Sequence, residues 1–273
     1  MIDPRRLDVA RSLAQRFASY PEVEAVALGG SSSTGMADDA SDIDLYVYLG
    51  RELPLAARRD VATEQADATS AEVGNEFFEP GDEWTHATSG VAVDLMYRRT
   101  SWTEDQIARV LDRHQASLGY TTCLCHNVAT SALLYDRRGW LAGQRAKANE
   151  PYPEPLRRAI LAKNLPLLAG TRASYTHQIV GALARGDRVA VNHRLAAFLA
   201  SYFDGLFAAN RRLHPGEKRL LTHAEAPGMR APSGMAPTIE RLFAAAEEGA
   251  TPEVAGLARR LSDDLARLAS DLA

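Results

Sequence analysis

Two aspartates stand two residues apart in Ser41-Asp42-Ile43-Asp44-Leu45, and a run of small residues, Gly29-Gly30-Ser31-Ser32-Ser33-Thr34-Gly35, precedes them. Val23 to Leu28 alternates like a strand, and Ile43 to Leu49 reads as a second one. Side chains at i and i+2 of a strand project from one face. Asp42 and Asp44 are therefore expected side by side, next to a turn lined with backbone N–H groups and hydroxyls. Adjacent carboxylates repel unless a cation lies between them. Hard divalent ions such as Mg2+ take oxygen ligands and often bind one or two carboxylates together with substrate phosphates. A glycine turn can bring N–H groups up to those phosphates. Asp94, set in Val91-Ala-Val-Asp-Leu-Met-Tyr97, is a third carboxylate inside an apolar strand. Such an aspartate is costly unless it is paired or binds a metal. A solvent-facing position, or pairing with Arg98 or Arg99, is the plainer reading of Asp94. If its strand lies beside Ile43–Leu49, Asp94 converges with Asp42 and Asp44.

These residues resemble the signature of the nucleotidyltransferase superfamily that includes polymerase β and the aminoglycoside nucleotidyltransferases. Leu28-Gly29-Gly30-Ser31 matches its first half and Asp42-Ile43-Asp44-Leu45 its second, with the ten residues Ser32 to Ser41 between them. The resemblance implies metal-dependent attack by a hydroxyl on the α-phosphorus of a nucleoside triphosphate, with release of pyrophosphate. It assigns Asp42, Asp44 and Asp94 to catalysis and to two Mg2+ (or Mn2+) ions, one gripping the triphosphate and one lowering the pKa of the attacking hydroxyl. It assigns Gly29, Gly30, Ser31 and Ser32 to the triphosphate, for which ATP is the expected species. Asp38 and Asp39 are read as loop residues that cap or solvate, and Ser41 as a residue whose hydroxyl could fix the loop.

The elements that must position these groups come in a definite order. Asp3-Pro4 opens a helix ending near Tyr20, with Leu7, Ala10, Leu13, Ala14 and Phe17 on one face. A helix over Pro54–Ala68, a short strand over Val73–Phe78, a turn at Glu79-Pro-Gly-Asp-Glu, the Asp94 strand and a helix over Trp102–Gln115 follow. From Thr122 the pattern is helical: Thr122–Leu134, Asp136–Ala148, Pro155–Leu168, Thr171–Arg185, Val189–Arg212 and two closing Ala/Leu/Arg helices after a Gly/Pro-rich loop. The expected fold is α+β: an N-terminal mixed sheet with flanking helices over residues 1–117, then an all-α bundle over residues 118–273.

In the second half, Asn210-Arg211-Arg212-Leu213-His214-Pro215-Gly216-Glu217-Lys218 is similar to a segment in the helical domain of bacterial small-molecule nucleotidyltransferases. That resemblance assigns Lys218, and with it Asn210, to the triphosphate. The plainer alternative is a helix C-terminus whose basic residues favour the negative dipole end. No acceptor-side Glu can be matched by motif. Glu79, Asp82 and Glu83 precede Asp94 and could line the acceptor side, but are read mainly as a solvated turn.

Composition limits the alternatives. The 273 residues carry a net charge of −4, with 46% hydrophobic and 24% charged content. That is ordinary for a globular chain, and it lacks the basic footprint of a nucleic-acid binder. The first residues are charged, no run of about 18 apolar residues occurs, and Cys123 and Cys125 are the only cysteines. A cytoplasmic protein without a membrane span, disulfide framework or zinc site is expected. The expected partners are a nucleoside triphosphate and a small molecule whose hydroxyl takes up a nucleoside monophosphate, expected to be AMP. A non-catalytic nucleotide-binding module, or transfer to a protein or an RNA, is the competing reading. Neither the acceptor nor the oligomeric state is legible.

Overall fold

The computed structural model describes residues 4–30, 42–67 and 69–273. Residues 1–108 with 127–150 form one compact unit, and residues 109–126 with 151–273 form another. The first unit is a six-stranded sheet with helices. Its elements are α1 (Pro4–Ala18), β1 (Val23–Leu28), β2 (Ile43–Leu49), α2 (Leu55–Gln65), β3 (Glu72–Asn75), β4 (Gly81–Thr85), β5 (Ala92–Arg99), β6 (Ala132–Asp136) and α5 (Trp140–Ala148). Helices α3 (Thr100–Leu111) and α4 (Cys123–Thr130) carry the chain from one unit to the other. The strand order is β3-β4-β5-β2-β1-β6, antiparallel throughout except for the parallel pair β2–β5.

Alternation decides which face of this sheet does what. Ile43, Leu45, Val47 and Leu49 of β2, with Val93, Leu95 and Tyr97 of β5, share one buried cluster with Val9, Leu13 and Phe17 of α1 and Val61 of α2. The even-numbered residues of the same strands, Asp44 and Asp94 among them, project from the other face. One helix-covered apolar face and one chemistry-bearing face follow from a period of two.

Two strands depart from the sequence reading. Residues 131–134, expected at the end of a helix, instead lead into β6, which pairs with the outer edge of β1. Ala-Leu-Leu is too short an apolar run to distinguish strand from helix, and an unpaired sheet edge decides it. Strand β4 replaces part of an expected turn. Gly, Asp and Glu are poor strand formers, and Asp82 takes an inward position where the pattern calls for an apolar residue.

The second unit is helical: α6 (Glu154–Leu165), a π-helical turn at Pro166–Gly170, α7 (Tyr175–Ala184), α8 (Arg188–Ala209), α9 (Leu220–Ala224), α10 (Met235–Glu247) and α11 (Thr251–Asp271). Leu195, Phe198, Tyr202 and Leu206 of α8 pack with Ile179, Leu242, Leu261 and Leu265 in its core. Asp204 of α8 is buried, where it accepts from Thr121 N (3.0 Å), Thr121 Oγ1 (2.6 Å) and Asn164 Nδ2 (3.3 Å). The expected boundary at 117/118 differs from this division, because residues 127–150 return to the sheet unit. Among the described residues, no helix is long and apolar enough to cross a membrane.

Candidate active site

Asp44 and Asp94 are direct partners across the parallel β2–β5 ladder. Neighbouring strands lie about 4.8 Å apart, so the two half-buried side chains leave the same face next to each other. On the far side of β5, Glu83 of β4 is the antiparallel partner of Asp94, and Glu72 of β3 is the partner of Glu83. Four carboxylates thus form one cross-strand row, in the order Asp44, Asp94, Glu83, Glu72. Asp42 is exposed immediately before β2. Two carboxylates about 5 Å apart repel by about 3 kcal/mol at an effective dielectric constant of about 20. The adjacent pair Asp44 and Asp94 offers two hard oxygen donors, the number a Mg2+ ion commonly takes beside phosphate ligands.

The diglycine closes against this row. The Gly29 N–H donates to the Asp44 carbonyl at 2.9 Å. Gly30 sits at φ +60, and a Cβ there would lie 1.7 Å from Asp44 Oδ2. A Cβ on Gly29 would lie 2.1 Å from Cε2 of Tyr46. Both glycines are therefore required by what packs on them: Gly30 by the carboxylate and by its left-handed backbone, Gly29 by an aromatic ring.

Next to the carboxylates lies a polar cluster. Arg98, buried on the same face, donates from Nε and Nη2 to the Glu79 carboxylate (2.7 and 2.8 Å) and from Nη1 to Asn127 Oδ1 (2.8 Å). Its guanidinium lies 4.1 Å from the centre of the Tyr46 ring. Asn127 Nδ2 donates to the Tyr46 hydroxyl at 2.8 Å. Burial pushes the Tyr46 phenol up to about 12; Arg98 opposes this, and the nearby Asp44 charge adds to it. Burial works most strongly against the Arg98 charge, but hydrogen bonding to Glu79, together with electrostatic attraction to Tyr46, Glu79 and Tyr48, holds the guanidinium above its ordinary pKa.

The structure places Asp94 beside Asp44, because the two strands are neighbours, and packs Gly29 and Gly30 against β2. Asp42, expected on the Asp44 face, stands at the mouth of β2. Ser31, Ser32, Asp38, Asp39 and Ser41 lie outside the described residues. Arg98, considered above as a partner for Asp94, bonds Glu79 and Asn127. The turn reading of 79–83 is corrected. Asp82 faces the opposite side, fully buried, accepting from Arg58 (2.5 and 3.0 Å), the Tyr97 hydroxyl (2.6 Å) and Gly74 N (2.8 Å). Glu83 alone of that segment joins the carboxylate row.

In the helical unit, Asn210 ends α8 with its amide in use. Nδ2 donates to Leu206 O (2.8 Å) and Arg230 O (2.9 Å), and Oδ1 accepts from Arg230 N (2.8 Å). That is a clamp on the chain near residue 230 rather than a free triphosphate ligand. Lys218 is exposed in the segment between α8 and α9. Cys123 and Cys125 are not joined in a disulfide, and among the described residues, those of the sheet unit included, no group of three or more metal-ligating side chains is placed to hold an ion. A cavity of about 550 Å3 in this unit is lined by α7, α8 and α10 residues, including Leu183, Val191, Leu195 and Phe243.

Asn127 and the pairing of Arg98 with Glu79 were missed from the sequence, and Glu83 was named there only as part of a segment read mainly as a solvated turn. Alternation in β4 could have found Glu83. Nothing local marks Asn127, which sits inside a helix.

The facing aspartates of adjacent parallel strands, beside the diglycine, are the residues that carry the resemblance to the nucleotidyltransferase signature. Residues 9–116 match the family model described as a nucleotidyltransferase domain, so the N-terminal part of the chain is such a domain. Residues 120–220 match a domain of unknown function, DUF4037. A solved nucleotidyltransferase-like protein from Exiguobacterium sibiricum 255-15 is similar over 97% of this chain and 74% of its own, at 12% identity and a TM-score of 0.44. The Thermotoga maritima CCA-adding enzyme complexed with tRNA is similar over 89% of this chain and 58% of its own, at 13% identity and a TM-score of 0.35. Both likenesses are remote. No curated protein matches the chain.

Proposed function

We propose that the chain transfers a nucleoside monophosphate, AMP from ATP, to a hydroxyl of a small molecule and releases pyrophosphate. The observation that carries this reading is the facing pair Asp44 and Asp94, with Asp44 packed into the space left by Gly30. Asp44 and Asp94 would supply two ligands to a divalent cation, Mg2+ or Mn2+, with phosphate oxygens completing its shell, and Asp42 stands at the mouth of β2. When bound, such an ion neutralises phosphate charge and polarises the phosphoryl oxygens. The Gly29-Gly30 turn lets the backbone approach the phosphates closely. The acceptor oxygen attacks the α-phosphorus, the bond to the β-phosphate breaks, and pyrophosphate carries away the electron pair. The acceptor proton passes to a neighbouring carboxylate, Asp94 being the one next to the donor site. Positioning and charge neutralisation supply most of the acceleration in such transfers.

The row continuing through Glu83 and Glu72 supports a small acceptor over a nucleic acid. A polyanionic backbone laid along it would meet like charges, whereas nucleic-acid sites neutralise phosphates with Lys and Arg. The test is incubation with each of four labelled triphosphates, Mg2+ or Mn2+, and a pool of hydroxylated metabolites and antibiotics. Mass spectrometry should find one acceptor carrying an added adenylyl group. Saturable triphosphate binding with no product from any acceptor would favour a regulatory binding module instead. Tight binding of RNA with a steep salt dependence would overturn the small-molecule assignment.

A further inference from the structure

The region matching DUF4037 begins at residue 120, yet residues 127–150 pack as part of the nucleotidyltransferase unit. That segment brings more than strand β6. Its first residue, Asn127, reaches the chemistry-bearing face and joins two residues of different strands there. We propose that Asn127 is a positioning residue for the triphosphate turn, acting through Tyr46; this inference rests on the reading of the carboxylate face as a triphosphate site.

The orientation of the Asn127 amide is forced by its partners. Arg98 has only donors, so the atom facing its Nη1 at 2.8 Å is Oδ1. Nδ2 is then left to donate to the Tyr46 hydroxyl, also at 2.8 Å. The Tyr46 ring is held on two sides, by that bond at its tip and by the Arg98 guanidinium 4.1 Å from its centre. Arg98 is held in turn by the bidentate Glu79. The edge of the ring fills the space beside Gly29 where a Cβ would sit. Gly29 N–H bonds the Asp44 carbonyl, and Asp44 Oδ2 packs on Gly30. A continuous set of contacts therefore runs from Asn127 through Tyr46 to the diglycine and Asp44. If the ring shifts, the turn loses the surface it rests on.

Asn127 is not what ties its segment to the sheet. β6 pairs along β1, Arg137 donates to Val23 O (2.9 Å), Ala18 O (2.9 Å) and Tyr20 O (2.8 Å), and Arg138 bonds Glu24 (2.5 and 3.2 Å). A substitution at 127 thus leaves the sheet edge anchored and perturbs the Tyr46 contact.

The test is calorimetric titration of the full chain with ATP in excess Mg2+, together with thermal melting. The proteins compared are the wild type, Asn127→Leu, Tyr46→Phe and the double variant. Tyr46→Phe keeps the ring and removes only the hydroxyl, so it serves even if the leucine variant folds poorly. Losing a positioning contact of this kind is expected to weaken Mg·ATP binding about tenfold in Asn127→Leu. The double variant is expected to be no weaker than Asn127→Leu alone, because both changes break the same hydrogen bond. Wild-type affinity in a folded Asn127→Leu, or effects of the two substitutions that simply multiply, would overturn the inference. A wild-type protein that binds no Mg·ATP would instead overturn the triphosphate reading beneath it.

Discussion

Replacing Gly30 by alanine tests the turn and the carboxylate together. The residue sits at φ +60, where a side chain costs about 1–2 kcal/mol. The added Cβ would lie 1.7 Å from Asp44 Oδ2 and 2.7 Å from its Cγ, against a lower limit near 3.0 Å for real Cβ contacts. The Asp44 carboxylate must therefore retreat by more than an ångström, away from its place opposite Asp94. Misplacing a group that orients a metal ligand typically costs about 10–100-fold in metal affinity. Titration with preformed Mn·ATP, followed by electron paramagnetic resonance, should show a loss of that size in Gly30→Ala. Gly90→Ala is the matched control. Gly90 has φ +68, but no atom lies within 4 Å of its would-be Cβ. It should show only the stability loss of the left-handed backbone, smaller than that of Gly30→Ala, with unchanged Mn·ATP affinity. Wild-type affinity in Gly30→Ala, or an equal loss in Gly90→Ala, would refute the reasoning.

Three further outcomes are expected. Asp82→Ala strands the largely buried Arg58 without its carboxylate and should cost about 3–5 kcal/mol of stability, read by denaturant unfolding. Asn210→Ala breaks the clamp between α8 and Arg230, so it should lower the melting temperature while Mg·ATP affinity stays at the wild-type value. His214 is fully buried; burial, with smaller contributions from His126 and His223, lowers its pKa to about 4. The folded protein keeps His214 neutral while the unfolded chain takes up a proton below about 6.5. Stability is therefore lost as pH falls from about 6.5 toward 4. His126, lowered to about 4 by burial and then by His223, acts in the same direction. Asp204, raised to about 6 by burial despite Thr121 and Asn164, acts in the opposite one. Unfolding measured at pH 7 and pH 5 should show a smaller acid loss in His214→Gln than in the wild type.

The donor half of the site was legible because its chemistry is local. Asp44 and Gly29-Gly30 belong to one short motif, and the period of a strand puts Asp44 on the face opposite the apolar residues Ile43 and Leu45. Asp42, expected beside Asp44, stands just before β2. Asp94 was legible as an anomaly, a charge inside an apolar strand, though only the parallel pairing of β2 with β5 shows that it meets Asp44. The illegible parts depend on contacts distant in sequence. Glu83 joins the row through the register of a strand whose Asp82 breaks the alternation by taking an ion pair in place of an apolar contact. Asn127 reaches Tyr46 from 81 residues away, inside a helix with no local sign of that role. Asn210 matched a motif by type and spacing, yet its amide is spent on Arg230. The helical pattern of 122–134 failed at β6 because an available sheet edge outweighs weak local preference.

The central claim is that Asp44 and Asp94 together carry nucleotidyl transfer. The most direct measurement is pyrophosphate release from ATP with Mg2+ and the acceptor pool, compared among the wild type, Asp44→Asn and Asp94→Asn. Asparagine keeps the size of each side chain and removes its charge. The account predicts release by the wild type in step with adenylylated acceptor, and loss of both in each variant while the folded state persists. Undiminished release by either variant would contradict it.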